Sequence, residues 1–253
     1  MHSSLKPAAI LLLGCFFCIL AGTGIQAKEE FEVEVVKAPP TVRYQRFDLH
    51  NPPSNLPRLN PGEKGTTEAK FGLVINLDPR VVSSEKTDKG YEVVMTPQAV
   101  RVKLTLPIVI WVPHGATEKF LVHEEGHRLI AEYIYKDAEK LVKFYAETLE
   151  SARFKGKGAS YEEALAHAYR LAGEDLNNVY RRYVFDYYTC VGEEYDRLTN
   201  HGLNRFPEDV AIDQSLKNCQ AYNSEFEEIR DYYHRKRTAR MTDIESPELI
   251  RME

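Results

Sequence analysis

Residues 117–154 run without a proline and with a single glycine, Gly126. Thr117 suits an N-cap and Glu118 the first turn, so the stretch predicts one long helix. Inside it stands His123-Glu124-Glu125-Gly126-His127, an H-E-x-x-H. On a helix the i, i+4 spacing puts both imidazoles on one face, where they can share a zinc ion. Glu124 lies beside that face and is the candidate catalytic base. Glu125 is one helical step of about 100° away and reads as a solvated carboxylate near Arg128. Gly126 disfavours the helix by about 1 kcal/mol relative to Ala, which suggests close approach by another segment or by substrate.

Two imidazoles leave a catalytic zinc site short of its usual third protein ligand. The pattern with Gly and His three and six residues beyond the second His is excluded, because Ile130 and Tyr133 stand there. Glu147 follows His127 by twenty residues, but on an unbroken helix it lies about 30 Å away and reads as a surface residue. A better source is a second helical pattern, running from residue 160 to about residue 190 after the turn Lys155-Gly156-Lys157-Gly158. Two long helices joined by a short loop should be antiparallel, so the second returns to the level of His127 near Cys190. There the chain reads Gly192-Glu193-Glu194-Tyr195-Asp196-Arg197-Leu198-Thr199-Asn200-His201-Gly202. His201 is the first candidate for third metal ligand. Asp196 is the alternative ligand or an acceptor behind a ligating imidazole, with Glu193 and Glu194 after it. Tyr195 is a candidate oxyanion donor. His167, close to the turn, reads as a helix-surface or core residue, whereas His114, just ahead of the first helix, could approach the site but is not chosen as a ligand.

The remainder of the chain sets the context. Lys6, an apolar run over residues 8–20 and Ile25-Gln26-Ala27 form a signal-peptide pattern, so residues 1–27 are expected to be removed and the mature protein to be exported, periplasmic or extracellular, with no transmembrane span. Leu12-Leu13-Gly14-Cys15 leaves a lipoprotein alternative. Export would take Cys15 and Cys18 away and leave Cys190 and Cys219 as a pair in an oxidising compartment, where a disulfide is expected. Without Lys6 the mature balance is 32 Lys+Arg against 38 Asp+Glu, a net −6 that argues against a nucleic-acid partner. Residues 28–113 read as a β-rich region. Phe31 to Val35 and Val100 to Leu106 alternate at period 2, while residues 71–75 and 91–95 are rich in β-branched residues. The prolines at 39, 40, 52, 53, 57 and 61 predict an irregular connection over 39–62. Residues 114–253 read as a helical metal-binding region, with a polar third helix over about 224–240 that ends in the basic cluster His234-Arg235-Lys236-Arg237. The expectation is an α+β fold: a small antiparallel β region packed on a long antiparallel helical hairpin, together forming one domain.

The H-E-x-x-H, the strand ending Leu104-Thr105-Leu106-Pro107 and the later Tyr195-Asp196-Arg197-Leu198-Thr199-Asn200-His201-Gly202 together resemble a bacterial family of secreted zinc-dependent proteases, described as a domain of unknown function with a Y-D-x-x-T-x-H-G motif. The resemblance covers roughly residues 65–205. It implies a zincin-like fold, zinc as cofactor, a peptide or protein substrate and a place for His201 in the site. Non-catalytic zinc-binding scaffolds of the cell envelope and cell-wall amidases are the other classes compatible with these residues.

Overall fold

The computed structural model describes residues 31–59 and 63–222, and beyond them only Ser224, Glu227, Glu228 and Asp231. The signal-peptide pattern and most of the polar helix expected over 224–240 lie outside the described residues. Mixed α/β architecture is what the chain adopts, in keeping with an α+β fold.

The strands are β1 (Glu32–Lys37), β2 (Thr41–Phe47), β3 (Thr66–Ala69), β4 (Gly72–Thr87), β5 (Gly90–Thr105), β6 (Pro107–Pro113) and β7 (Phe154–Gly158). They form two mixed sheets rather than one antiparallel sheet. In the first, β5 pairs in parallel with β1 and antiparallel with β4 and β7; in the second, β6 pairs in parallel with β2 and antiparallel with β3. The parallel pairing arises because β1 and β2 follow β5 and β6 along the same track, with both tracks broken at matching points. Ala38 N donates to Leu104 O and Thr41 N to Leu106 O, each at 3.0 Å, and Pro39 and Pro40, which have no N–H to offer a ladder, fall in the gap between. Hence the connection expected over 39–62 holds a regular strand just after its first two prolines.

β5 and β6 bury a period-2 row of Val100, Val102, Leu104, Leu106, Ile108, Ile110 and Val112. Against this core packs α1 (Glu118–Thr148), through Ile130, Ala131, Ile134, Tyr135, Ala138 and Val142. Each large aliphatic side chain buried there contributes about 1.5–3 kcal/mol. Thr117 caps α1, its hydroxyl oxygen accepting from Phe120 N at 3.3 Å. The helix ends at Thr148, short of residue 154, and a 3-10 turn (Leu149–Ser151) leads into β7.

The Lys155-Gly156-Lys157-Gly158 segment expected as a turn is therefore an edge strand. Its glycines permit close packing on α2 (Tyr161–Tyr180): a Cβ at Gly156 would stand 2.0 Å from Ala164 O and 2.4 Å from Ala168 N. Ser160 caps α2 by accepting from Glu163 N at 3.2 Å, and Glu163 in return accepts from Ala159 N at 2.8 Å. From α2 the chain passes through a π turn (Arg181–Asp186) into α3 (Tyr187–Thr199). Such a turn shifts the helical phase by one residue and so sets which face of α3 meets α1. A short polar helix, α4 (Glu208–Asn218), escaped the sequence reading because only Ala211 and Ser215 of it are buried.

Cys190 and Cys219 form a disulfide that ties α3 to the end of α4. A chain beginning at Lys28 should show no free thiol when denatured without reductant. Cys190→Ser combined with Cys219→Ser should lower unfolding stability by about 3–4 kcal/mol for a loop of 29 residues, read as a fall in denaturant midpoint. Two titratable thiols in the unreduced protein would contradict this.

Candidate metal centre

α1 and α3 meet at the H-E-x-x-H. Asp196 Oδ1 lies 3.1 Å from His123 Nε2 and 3.0 Å from His127 Nε2, and the two rings stand nearly perpendicular with centroids 5.0 Å apart. The three donor atoms could hold a metal ion. Their environment supports that reading. Thr199 donates its hydroxyl proton to Tyr195 O at 2.7 Å, leaving its oxygen to face His123 Nδ1 at 3.4 Å. A proton on Nδ1 directed at that oxygen leaves the Nε2 lone pair for a cation, the usual arrangement behind a ligating imidazole.

Electrostatics follow from the same contacts. Burial raises the Asp196 pKa, but hydrogen bonds and charge from His123 and His127 outweigh it and hold the carboxyl well below the usual range. Burial disfavours the charged form of His127, yet Asp196, with Glu124 and Glu63 behind it, raises the imidazole overall. Glu124 is 3% exposed, and burial pushes its carboxyl up against the opposing effects of His127, Thr67 and His123. Thr67, on β3, holds it in place: its hydroxyl stands 2.8 Å from Glu124 Oε2 and 2.9 Å from Glu124 O.

Tyr195 packs against both imidazoles. Its ring stacks on His123 with an interplanar angle of 7° and meets His127 edge-on, each with centroids about 5 Å away. Its hydroxyl faces His123 O at 3.2 Å and donates to Glu208 of α4. Fully buried and so engaged, Tyr195 has no hydroxyl to present to a substrate, which corrects its expected part as oxyanion donor. Gly126 leaves room for this ring, since a Cβ there would stand 2.0 Å from Tyr195 Oη. The close approach suggested by a mid-helix glycine is thus made by Tyr195.

A cleft of about 660 Å³ opens over His123, His127 and Asp196, with Thr66 and Thr67 of β3 on another wall. No protein-family model, curated protein or solved structure matches this chain.

His201 is brought to the cleft but one step out from the imidazole pair. Its Nδ1 lies 3.5 Å from Asp196 Oδ1 and 3.5 Å from Glu63 Oε1. Asp196, the alternative ligand on sequence grounds, takes the place next to both imidazoles. Three successive left-handed residues, Asn200 (φ 48°), His201 (φ 52°) and Gly202 (φ 74°), fold the chain back after α3. A Cβ on Gly202 would meet His123 Cβ at 2.8 Å, so this glycine is required by both its conformation and its contact. Glu194 is not brought to the metal face: it pairs with Arg197 at 2.7 Å and accepts from Asn218 at 3.3 Å. Glu193 is exposed, and Glu125 pairs with Arg128 while accepting from Tyr44. His167 packs on β7, its Nδ1 accepting from Lys157 N at 3.1 Å. Sequence reasoning missed Thr67 and Glu63, which arrive from distant segments with no motif, and Glu208, on the short polar α4, and gave Thr199 no role although it stands within the Y-D-x-x-T-x-H-G motif.

Proposed function

We propose that the protein is an exported zinc-dependent peptidase whose metal is held by His123, His127 and Asp196. The observation that carries the reading is the convergence of Asp196 on an H-E-x-x-H helix at the wall of an open cleft. Two imidazoles and a carboxylate also suit non-haem iron, but a glutamate adjacent to the first His favours hydrolysis. When bound, zinc supplies Lewis acidity toward a carbonyl and brings the pKa of water to about 7. Glu124 Oε is the group that takes a proton from the attacking water and returns it to the leaving amine. Thr67 orients that carboxylate, Thr199 fixes the His123 tautomer, and Tyr195 keeps both rings from turning. Peptide or protein substrates are supported by the sequence resemblance and by a cleft large enough for several side chains. Export is supported by the signal-peptide pattern and the Cys190–Cys219 disulfide; among the described residues no helix is long and apolar enough to cross a membrane.

Protein purified without chelator should carry zinc, and His123→Ala should carry about one ion fewer per chain by elemental analysis. Chelation should abolish cleavage of a peptide library and zinc add-back restore it. Equal zinc in wild type and variant would contradict the ligand assignment.

A further inference from the structure

We propose that the cleft holds a second divalent cation, bound by Glu63, His201 and a shared Asp196. The inference rests on the reading of His123, His127 and Asp196 as a metal centre and adds a neighbouring site to it.

The donor atoms of Glu63, Asp196 and His201 all lie within 4.8 Å of one another, a set distinct from the first and joined to it through Asp196. His201 Nδ1 is shielded from solvent and makes no hydrogen bond, although the side chain as a whole is 43% exposed, so this one atom is left unsatisfied unless something else occupies its lone pair. Its separation of 3.5 Å from both Glu63 Oε1 and Asp196 Oδ1 is too long for a hydrogen bond. It is, however, the spacing of ligands around a common ion, since two donors each about 2.0–2.2 Å from a tetrahedral centre stand about 3.3–3.6 Å apart. His201 is carried there by the left-handed turn that ends α3, a conformation usual for Asn200 and Gly202 and adopted by His201 between them.

A carboxylate has about four lone-pair directions, so Asp196 can serve two ions, as bridging carboxylates do in two-metal hydrolytic sites. The new site is the richer in oxygen and accepts manganese as well as zinc.

The test uses the mature chain stripped by chelator and dialysed to equilibrium against Zn²⁺ or Mn²⁺, with metal counted per chain and the Mn²⁺ form examined by electron paramagnetic resonance. Wild type should bind about two ions and show a spin-coupled manganese pair. His201→Asn, which tolerates the left-handed backbone, and Glu63→Gln should each bind about one ion and show an isolated Mn²⁺ signal, with melting temperature little changed. Saturation of wild type at one ion, lost in His123→Ala and kept in His201→Asn, would overturn the second site while leaving the first intact. One ion lost in His201→Asn as well would make His201 a ligand of a single centre and overturn the second site. Two ions in wild type and in both His201→Asn and Glu63→Gln would place the second elsewhere and overturn the proposed site equally. No bound metal in wild type would remove the first reading and the second with it.

Discussion

Glu124→Gln is expected to leave zinc content and melting temperature at wild-type values while lowering peptide hydrolysis by about 10²-fold or more, the scale of general acid–base catalysis. The amide matches the carboxylate in size, and its oxygen can still accept from the Thr67 hydroxyl that stands 2.8 Å from Glu124 Oε2. Helix α1 and the imidazoles at His123 and His127 are untouched. What disappears is the capacity to take a proton. The fall should appear in kcat and in kcat/KM alike, because the lost interaction belongs to the transition state. A variant as active as wild type would remove Glu124 from the chemistry. One that lost its zinc would make the residue part of the metal site instead.

Gly126→Ala carries the second large effect, this time on structure. A methyl at this position would stand 2.0 Å from Tyr195 Oη and 2.4 Å from Cζ, distances that real contacts do not reach. The ring has nowhere to retreat, since it is fully buried and stacked on His123. Overpacking of this kind costs about 1–3 kcal/mol or more, which exceeds the ~1 kcal/mol that Ala gains in helix propensity. Displacing Tyr195 should also disturb His123 and weaken zinc binding. Gly173→Ala on α2 is the matched control: nothing lies within 4 Å of the added methyl, so it should stabilise by about 0.5–1 kcal/mol. Adding Tyr195→Phe to Gly126→Ala removes the atom in worst contact and should recover part of the loss. Denaturant unfolding with a zinc titration would measure all of these. A neutral Gly126→Ala would mean that Tyr195 does not occupy the position described.

How much of the molecule is legible in its sequence depends on whether a signal is local. The H-E-x-x-H helix, its cap at Thr117, the Ser160 cap and the alternating Val100–Leu106 strand are written in short windows, and all are present. The Cys190–Cys219 bond follows from the cysteine count and the expected export. Strand β2 is hidden because Pro39 and Pro40 read as a loop, although they sit in a break shared with the neighbouring strand track. Strand β3 is Thr66-Thr67-Glu68-Ala69, too short and polar to show a pattern, yet it supplies the hydroxyl that holds Glu124. The glycines of β7 suggest a turn because close packing on α2 is a tertiary fact. At the site, Asp196 and His201 are both visible as ligand types, but their order is not. It turns on the three left-handed residues after Thr199, which carry His201 outward along the cleft while Asp196, still on α3, faces both imidazoles. Glu63 has no signal of its own, as it reaches the cleft from a proline-rich connection remote in sequence.

His123, His127 and Asp196 together are expected to hold a divalent ion facing the cleft, and everything proposed for Glu124 and His201 depends on it. Anomalous diffraction at the zinc edge from crystals of the zinc-loaded protein tests this most directly. The expected result is a peak about 2.0–2.2 Å from His123 Nε2, His127 Nε2 and an Asp196 carboxylate oxygen, with a coordination position left open to the cleft. A map without density there, or an ion enclosed by four protein ligands with no open position, would contradict it.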